Sequence, residues 1–415
     1  MNRNMKTSSE PWIGLVPSDW DESKIKYVAP IHNERAESNE GYIGLENIEG
    51  WTGKLLPSDS TATGESISFL KDDVLFGKLR PYLAKSVVAH ENGCGSTELL
   101  VMRPENINPN YLGYICRSKT FVDCIDVSTY GAKMPRANGA FIGNLHIPMP
   151  SEIEQRTIVS YLDSKCSAID EAIERHKKII EKLEEYKRSS IIKAVNGDIS
   201  DNTKASGIAW MPTVPSHWGV VPMRFALTQR KNKNEGLVEK NLLTLSYGKI
   251  KRKDIETNEG LLPASFEGYN IIEAGDIVLR LMDLQNDKHS LRTGLVTECG
   301  IITSAYVTVI PTEGFDPAYC RYLLHAYDLM KVFYSMGEGV RQGLTYDDLS
   351  RTLLIPKPPI DEQSKIASNI IKMEGSVDAS IGKQNAMLEK LEEYRKSVIY
   401  NAVTGKIDCR TETQP

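Results

Sequence analysis

Two long stretches of the chain carry apolar residues at alternating spacings of three and four, with glutamate and lysine between them. This spacing, sustained over several turns, predicts amphipathic helices of the coiled-coil kind. The first helix should start after Pro150, where Ser151 and Glu154 have capping-box spacing, and stop at Gly197. The second should run from a proline-rich step to Gly405. The apolar positions are Ile158, Leu162, Ile169, Ile173, Ile180 and Leu183, then Ile366, Ile370, Val377, Ile381, Leu388, Leu391 and Val398.

Shorter apolar runs bounded by glycine, asparagine and proline precede each of these stretches. Examples are Lys85–Ala89, Glu98–Met102 and Ala305–Ile310, each typical of a short β-strand. Pro109 and Pro317 each open a predicted helix. The pattern predicts compact α/β domains with irregular sheets.

The chain repeats itself. Lys182–Ser189 returns as Lys390–Ser397 after 208 residues, and the motif from Trp12 to Trp20 returns from Trp210 to Trp218 after 198. Such duplication indicates two similar units related by pseudo-symmetry. The predicted fold class is therefore α/β, with two mixed α/β globular domains separated by two long antiparallel coiled-coil helices in a pseudo-two-fold internal repeat. The predicted divisions are residues 1–150, 151–199, 200–358 and 359–409.

The antiparallel arrangement follows from chain geometry. A continuous helix from Glu152 to Ala194 would hold 43 residues and measure roughly 65 Å at about 1.5 Å per residue. The termini of a compact domain usually lie close together, so the second helix should run back along the first, as a rod with one domain at each end. His176 and Gln384, 208 residues apart, could form a register-setting pair, or each could be a helix-surface or satisfied polar residue. The second interpretation is simpler, because antiparallel packing need not bring equivalent positions together.

Composition restricts the class of protein without identifying it. The 415 residues are 40% hydrophobic and 25% charged, and the formal charge is −5 without a basic tail. Binding to nucleic acid would therefore need focused cationic clusters. The seven cysteines are scattered without zinc-site spacing, and no apolar run reaches the roughly 18 residues of a membrane helix. We expect a cytoplasmic protein without a membrane partner or metal site.

The usual catalytic motifs are missing from the sequence. It contains no phosphate-binding loop of the G-x-x-x-x-G-K-[ST] type, no G-x-G-x-x-G turn, no H-E-x-x-H and no G-x-S-x-G. Lys357-Pro358-Pro359-Ile360 lacks the flanking residues with which an amino-methyltransferase holds a flipped base. These absences favour a binding protein over an enzyme.

Matched loops in the two domains combine cations with amides and glycine. Arginine can bind a guanine edge or a phosphate, and the amides of Gln and Asn can bind adenine. Each cation taken singly is more often a solvated surface charge, and Arg80 and Arg280 could instead form structural ion pairs. The candidate DNA-binding residues are Lys78, Arg80, Tyr82, Lys85, Lys133 and Arg136 in the first domain and Arg280, Gln285, Asn286, Lys288, Arg292, Arg341 and Gln342 in the second.

These doubled motifs resemble the specificity subunit of type I restriction-modification systems. The shared elements are the W-x-x-x-x-P-S-x-W opening, an E-Q-x-x-I step into each helix and a K-L-E-E-Y end before A-V-x-G. The resemblance covers nearly the whole chain. By this resemblance, residues 1–150 and 200–358 would be target recognition domains. Residues 151–199 and 359–409 would be conserved helical regions. The second helix differs from the first in containing Gly375 and Gly382, which weaken it and could mark a bend or a close approach of a partner.

The family implies a non-catalytic reader of double-stranded DNA. Each domain would bind one half of a bipartite asymmetric site, and the helices would set the spacer. Two modification subunits carrying S-adenosylmethionine would dock on the helices and methylate adenine, and restriction subunits would add ATP- and Mg-dependent cleavage, so this chain would bind no cofactor. The implied partner-binding residues are Glu154, Gln155, Leu183, Tyr186, Glu362, Gln363, Leu391 and Tyr394.

Two other classes stay open on the sequence alone. A coiled-coil scaffold for protein partners would share the helices but would not need cationic and amide loops at matched places. A stand-alone methyltransferase or nuclease would need a cofactor pocket, and binding of S-adenosylmethionine by the isolated chain would favour it.

Overall fold

The computed structural model describes residues 3–38, 40–57, 64–129, 131, 133–197, 202–254, 265–284, 291–336 and 343–410. Two compact units divide them. The first combines the chain up to Lys178 with the chain from Gln384 onward, and the second is Ile179–Lys383. Both unit boundaries fall inside a long helix, so each helix belongs partly to one unit and partly to the other. The predicted division placed each helix in a segment of its own, and that division stays a prediction.

The domain of the first unit is a mixed α/β structure built on a four-stranded sheet. Its strand order is β4-β10-β7-β8, with antiparallel neighbours, and β3 pairs with β11 where the domain meets the helix. The strands are β1 (Met5–Thr7), β2 (Leu15–Pro17), β3 (Asp21–Lys24), β4 (Ile31–His32), β5 (Tyr42–Ile43), β6 (Ser66–Phe69), β7 (Val74–Gly77), β8 (Ser86–Val88), β9 (Gly93–Ser96), β10 (Leu99–Met102) and β11 (His146–Met149). The helices are α1 (Ile25–Val28), α2 (Pro109–Cys116), α3 (Lys119–Val127) and α4 (Gly139–Asn144).

The first long helix, α5, runs Glu152–Asn196 without interruption. The Glu154 amide donates to Ser151 Oγ (3.3 Å), as the capping spacing predicts. Gly197 follows with a φ of +69°, the left-handed conformation that glycine adopts most readily.

The domain of the second unit repeats this architecture. Its main sheet has the order β15-β22-β19-β20, and β14 pairs with β23 as β3 does with β11. The strands are β12 (Thr203–Ile208), β13 (Met211–Pro215), β14 (Gly219–Pro222), β15 (Leu227–Gln229), β16 (Leu243–Ser246), β17 (Lys249–Arg252), β18 (Asn270–Ile272), β19 (Ile277–Leu279), β20 (Thr293–Leu295), β21 (Gly300–Ile302), β22 (Val307–Pro311) and β23 (Leu354–Lys357). The helices are α6 (Met223–Ala226), α7 (Pro317–Leu329) and α8 (Tyr346–Thr352), followed by the second long helix α9 (Ile360–Val403).

Within each unit the long helices run antiparallel. In the first unit Asp170 and His176 of α5 contact Arg395 and Gln384 of α9, so one sequence number rises as the other falls. In the second unit Lys187 contacts Asp378 at 2.8 Å. The predicted fold class, two mixed α/β domains joined by two long antiparallel helices, is confirmed.

Two sequence expectations about the helices change. His176 Nδ1 lies 2.5 Å from Gln384 Oε1, so the two equivalent positions do pair, which was the less simple of the two interpretations. At Gly375 and Gly382, α9 continues without interruption, and an added Cβ would meet none of the described atoms within 4 Å. Glycine is thus not required there by packing inside this chain.

Candidate nucleic-acid interface and helix junctions

The repeated tryptophan motif joins each domain to two helix ends. In the first unit the buried Trp20 donates from Nε1 to Glu154 Oε2 (2.9 Å) at the start of α5. Its ring also lies against Gly405 at the end of α9, where a Cβ would come within 2.9 Å of the indole and 2.4 Å of Pro17. The glycine stop is therefore needed both for its φ of +71° and for this close approach.

The second unit repeats the arrangement with the helices exchanged. Trp218 Nε1 donates to Glu362 Oε1 (3.1 Å) at the start of α9, and the ring packs on Gly197 at the end of α5. A Cβ on Gly197 would lie 2.6 Å from Pro215 and 2.8 Å from Trp218. The tryptophan motif thus contacts the start of α5 and the end of α9 in the first unit. In the second unit it contacts the start of α9 and the end of α5.

Gln155 and Gln363 complete these junctions from inside. Gln155 Oε1 accepts from the Asn108 amide (2.8 Å), and its Nε2 donates to the Pro150 carbonyl (2.9 Å). Gln363, fully buried, accepts from Asp316 N (2.9 Å) and donates to the carbonyls of Gly314 and Pro358. We call each set of tryptophan, glutamate and glutamine a Trp–Glu–Gln junction (Trp20, Glu154 and Gln155; Trp218, Glu362 and Gln363).

The junctions change the interpretation of four candidate partner-binding residues. Gln155 and Gln363 are buried, and both ends of each side-chain amide are hydrogen-bonded to the backbone. Glu154 pairs with Arg3 (2.5 Å) and Trp20, while Glu362 pairs with His217 (2.8 Å) and Trp218. These four residues hold domain to helix. The other four lie on the helix surface: Leu183 and Leu391 are half-buried, whereas Tyr186 and Tyr394 are 55% and 50% exposed.

In the first domain the two candidate DNA loops are brought together. The Arg80 amide donates to the Pro135 carbonyl (2.8 Å), and Leu79 forms a bridge with Arg136. Arg80 is exposed with a φ of +51°, and Tyr82 and Lys133 are exposed beside it. This cluster of Arg80, Tyr82 and Lys133 can present two cations and a phenol to a ligand.

Two of the other three candidates of this domain, Lys85 and Arg136, have partners inside it, and the third, Lys78, is half-buried. Lys85 Nζ donates to the Leu45 carbonyl (2.5 Å), and Arg136 forms a two-pronged ion pair with Glu98 (2.8 Å for the shortest contact). Hydrogen bonding from Arg136 lowers the pKa of Glu98. Burial lowers the pKa of the half-buried Lys78.

The second domain places its candidates differently from the sequence expectation. The Gly77 amide donates to Lys85 O, and the Arg280 amide donates to Arg292 O in the same sheet position. Arg280 therefore corresponds to Gly77, and the left-handed residue equivalent to Arg80 is Asp283, with a φ of +53°. Arg80 and Arg280 therefore occupy different positions in their loops, three residues apart.

Arg292 is the clearest correction. It is fully buried, and its guanidinium donates to the carbonyls of Arg280 (3.1 Å) and Met282 (2.8 Å) and to the Tyr334 hydroxyl (3.0 Å). Burial leaves none of its surface for DNA, so Arg292 supports the loop from inside. Arg280 is half-buried. Gln285, Asn286, Lys288, Arg341 and Gln342 lie outside the described residues.

A set of contacts that sequence reasoning missed holds the first domain to both helices. Lys54 Nζ and Arg395 both bind Asp170, the lysine at 2.6 Å, and Lys396 Nζ lies 4.1 Å from the Trp51 ring centroid. We call Trp51, Lys54, Asp170, Arg395 and Lys396 the clamp. The available signal was the repeat itself, since Asp170 and Arg395 recur 208 residues away as Asp378 and Lys187.

Among the described residues, the same place in the second unit holds a groove where Arg188 Nη2 donates to the Leu329 carbonyl (2.6 Å). This groove of about 730 Å³ separates the helix pair from the domain, lined by Ile191, Leu291, Leu329 and Ile381 with Glu181, Glu184 and Glu185. Tyr247, with a φ of +48°, stands over it with 81% of its surface exposed.

Neither a candidate metal site nor a candidate membrane-spanning helix is found among the described residues. There, no group of three or more His, Cys, Asp or Glu residues is arranged to hold a metal ion. Within the same ranges no helix is both long and apolar enough to cross a membrane.

Comparison with known proteins shows which family the chain resembles. The model for the type I restriction modification DNA specificity domain matches residues 17–185. The chain is 21% identical over 198 residues to the type I restriction enzyme EcoDI specificity subunit of Escherichia coli, a match spanning 46% of this chain and 44% of that protein. It is 22% identical over 420 residues to the MjaVIII specificity subunit of Methanocaldococcus jannaschii, covering 94% of each.

A solved structure supports the fold independently of these sequence matches. A chain from work on complex assembly and conformational transition of the type I restriction-modification system superposes with a TM-score of 0.70 at 16% identity, covering 94% of this chain and 99% of the other. The doubled motifs and the relatives agree with each other, and the chain is similar to type I restriction-modification specificity subunits.

Proposed function

We propose that this chain selects the DNA target of a type I restriction-modification complex by reading a bipartite, asymmetric duplex site, one half with each domain. The observation that carries the proposal is the contrast between repeated Trp–Glu–Gln junctions and unlike exposed loops. Two similar scaffolds with different reading surfaces fit two different half-sites. The antiparallel helices then fix the distance between the halves.

In this proposal the chain catalyses nothing and binds no cofactor. Two modification subunits dock on the helices, where the exposed Tyr186 and Tyr394 occupy repeat-related positions. Paired aromatic anchors of this kind suit two copies of one partner. S-adenosylmethionine belongs to those subunits, and ATP and Mg²⁺ belong to the restriction subunits.

Binding by the assembled complex tests half-site reading. Methylome sequencing of cells expressing the chain with a modification subunit gives the target, and duplexes with either half scrambled are then compared. Arg80→Ala should weaken discrimination at one half-site by about 1–3 kcal/mol and leave the other unchanged. Arg175→Ala, on the exposed face of α5, is the control. Equal binding of cognate and fully scrambled duplex by the parent complex would refute the proposal.

The role of the helices as a spacer has its own test. Four residues inserted in each helix, after Lys178 and after Lys383, lie between the compact units and leave their internal contacts intact. The insertion adds about 6 Å at about 1.5 Å per residue, close to two base-pair steps. Methylome sequencing should show unchanged half-sites with a longer spacer. Altered half-sites would contradict the division of labour.

A further inference from the structure

The hairpin of β16 and β17 carries an unassigned cationic surface in the second domain. Four of five consecutive residues are cations: Lys249, Lys251, Arg252 and Lys253. The chain as a whole has a net charge of −5, so this concentration is a local feature rather than a general one. The exposed Tyr247 stands at the tip of the same hairpin.

Strand alternation sorts these side chains onto two faces. Ile250 points inward, where it packs with Leu245 near Gly294. Lys249 and Lys251 lie on the opposite face, exposed, and their cross-strand neighbours are Ser246 and Thr244. The outward lysines therefore face hydroxyls across the hairpin, not carboxylates.

The side chains of the two lysines make no hydrogen bond or ion pair with the described residues. Arg252, on the inward-facing register, is held by Glu298 in an ion pair. Lys233 donates to the Gly268 carbonyl (2.8 Å). A pair of like charges without internal compensation costs some stability through mutual repulsion, which favours an anionic partner as the reason for its presence.

The position of the hairpin points to the kind of anion. Gly248 packs on Leu291, since an added Cβ would lie 3.2 Å from the Leu291 side chain. Leu291 comes just after the predicted reading residues Gln285, Asn286 and Lys288 in the chain. The first domain has a single lysine at the corresponding turn, Lys54, and Asp170 occupies it.

We infer that the outer face of this hairpin, Lys249 and Lys251, grips the phosphate backbone of duplex DNA beside the half-site read by the second domain. The inference rests on the proposed function. Alternate residues of a strand lie about 6.8 Å apart, close to two base-pair steps of about 3.4 Å. The two ammonium groups can thus meet phosphates of one DNA strand. Such contacts position the domain and carry no sequence information.

The salt dependence of binding tests the inference. The double variant Lys249→Gln/Lys251→Gln is compared with the parent in the assembled complex, on cognate and scrambled duplexes over a range of salt. Loss of two phosphate contacts should lower the slope of log K against log salt by about 1.8. Affinity should fall by the same factor on both duplexes, so that their ratio stays constant. Lys204→Gln/Lys365→Gln removes two exposed lysines of the same unit and is the matched control.

The outcomes separate this inference from the proposed function. An unchanged slope in the double variant, with discrimination by the parent intact, overturns the hairpin assignment alone. Failure of the parent to discriminate overturns the proposed function. Loss of the modification subunit at an unchanged slope assigns the face to an acidic protein surface and also overturns the inference. If the double variant unfolds, Lys251→Gln alone should lower the slope by about 0.9.

Discussion

The two units share their helix junctions and differ in how each domain is fastened beside them. Both use a tryptophan, a glutamate and a buried glutamine to tie the domain to the helix ends. Among the described residues, the first unit alone adds the clamp, in which Lys54 and Trp51 reach Asp170 and Lys396. The corresponding place in the second unit is the groove beneath Tyr247.

The difference shows which constraints the duplication preserved. The geometry of a helix start beside a helix stop is the same in both units, so the residues that satisfy it are the same. The domain flank has no such requirement, and there the two copies diverged. One flank carries an internal ion-pair network and the other an open groove beside uncompensated lysines.

The largest expected effect on stability comes from adding a methyl group beside the tryptophan of a Trp–Glu–Gln junction. Gly197→Ala forces a φ of +69° on alanine and drives its Cβ into Pro215 and Trp218. Left-handed strain of about 1–2 kcal/mol and overpacking of about 1–3 kcal/mol should together lower the free energy of unfolding by about 2–5 kcal/mol. Urea denaturation measures this loss. Gly207→Ala, with a φ of +75° and no described neighbour within 4 Å, should show only the backbone part. Equal losses would mean that junction packing contributes little.

The clamp predicts unequal effects at two equivalent aspartates. Asp170→Asn leaves Arg395, whose side chain is 7% exposed, without its carboxylate and should destabilise the first unit by about 3 kcal/mol. Asp378→Asn, 208 residues later, affects a side chain that is 51% exposed and should cost less than about 1 kcal/mol. Hydrogen exchange, resolved by unit, measures both. Similar losses would show that the clamp adds nothing beyond the shared helix pair.

The smallest effect is an acid sensitivity confined to the second unit. Burial lowers the pKa of His325 to about 3, and the charges of Arg321 and Lys187 act in the same direction. A lowered pKa makes the contribution fully present above the unfolded value of 6.5, and it is lost as pH falls from there toward 3. At pH 5 the loss should be about 2 kcal/mol. His325→Leu should remove this part of the pH dependence in urea denaturation, and unchanged acid sensitivity would contradict the assignment.

Comparing the two units gives a second test of this acid sensitivity. The residue 208 positions earlier is Arg117, likewise buried, with its guanidinium 4.6 Å from the Tyr114 ring centroid. Arginine stays charged over this whole pH range. The first unit should therefore show no matching titration at this position, which unit-resolved hydrogen exchange at pH 7 and pH 5 can check.

The sequence was sufficient for the features that repeat with a fixed period. The starts of α2 and α7 at Pro109 and Pro317, both long helices and their stops at Gly197 and Gly405 were predicted from local pattern. These elements are determined by short-range chemistry, such as caps and apolar spacing. A repeat inside one chain also served as a second observation of each pattern.

Contacts between distant residues could not be predicted in the same way. The family resemblance implied partner binding for Gln155, but its hydrogen bonds to Asn108 and Pro150 depend on how the domain folds back onto the helix. Arg80 and Arg280 were both candidates in matched loops, but only the sheet contacts show that Arg280 corresponds to Gly77 and that Asp283 takes the place of Arg80. The described candidate surface is therefore smaller than the sequence suggested. In the first domain it is centred on Arg80, Tyr82 and Lys133.

The way the chain contributes to its two units has a consequence for its synthesis. The second unit is one uninterrupted segment, Ile179–Lys383, whereas the first also needs the segment from Gln384 onward. Tyr111, for example, donates to the Val403 carbonyl (3.1 Å), 292 residues later. On the ribosome the unit that begins second can thus be completed first, and the opening domain must wait for its closing helix with Trp20 and its neighbours unsheltered.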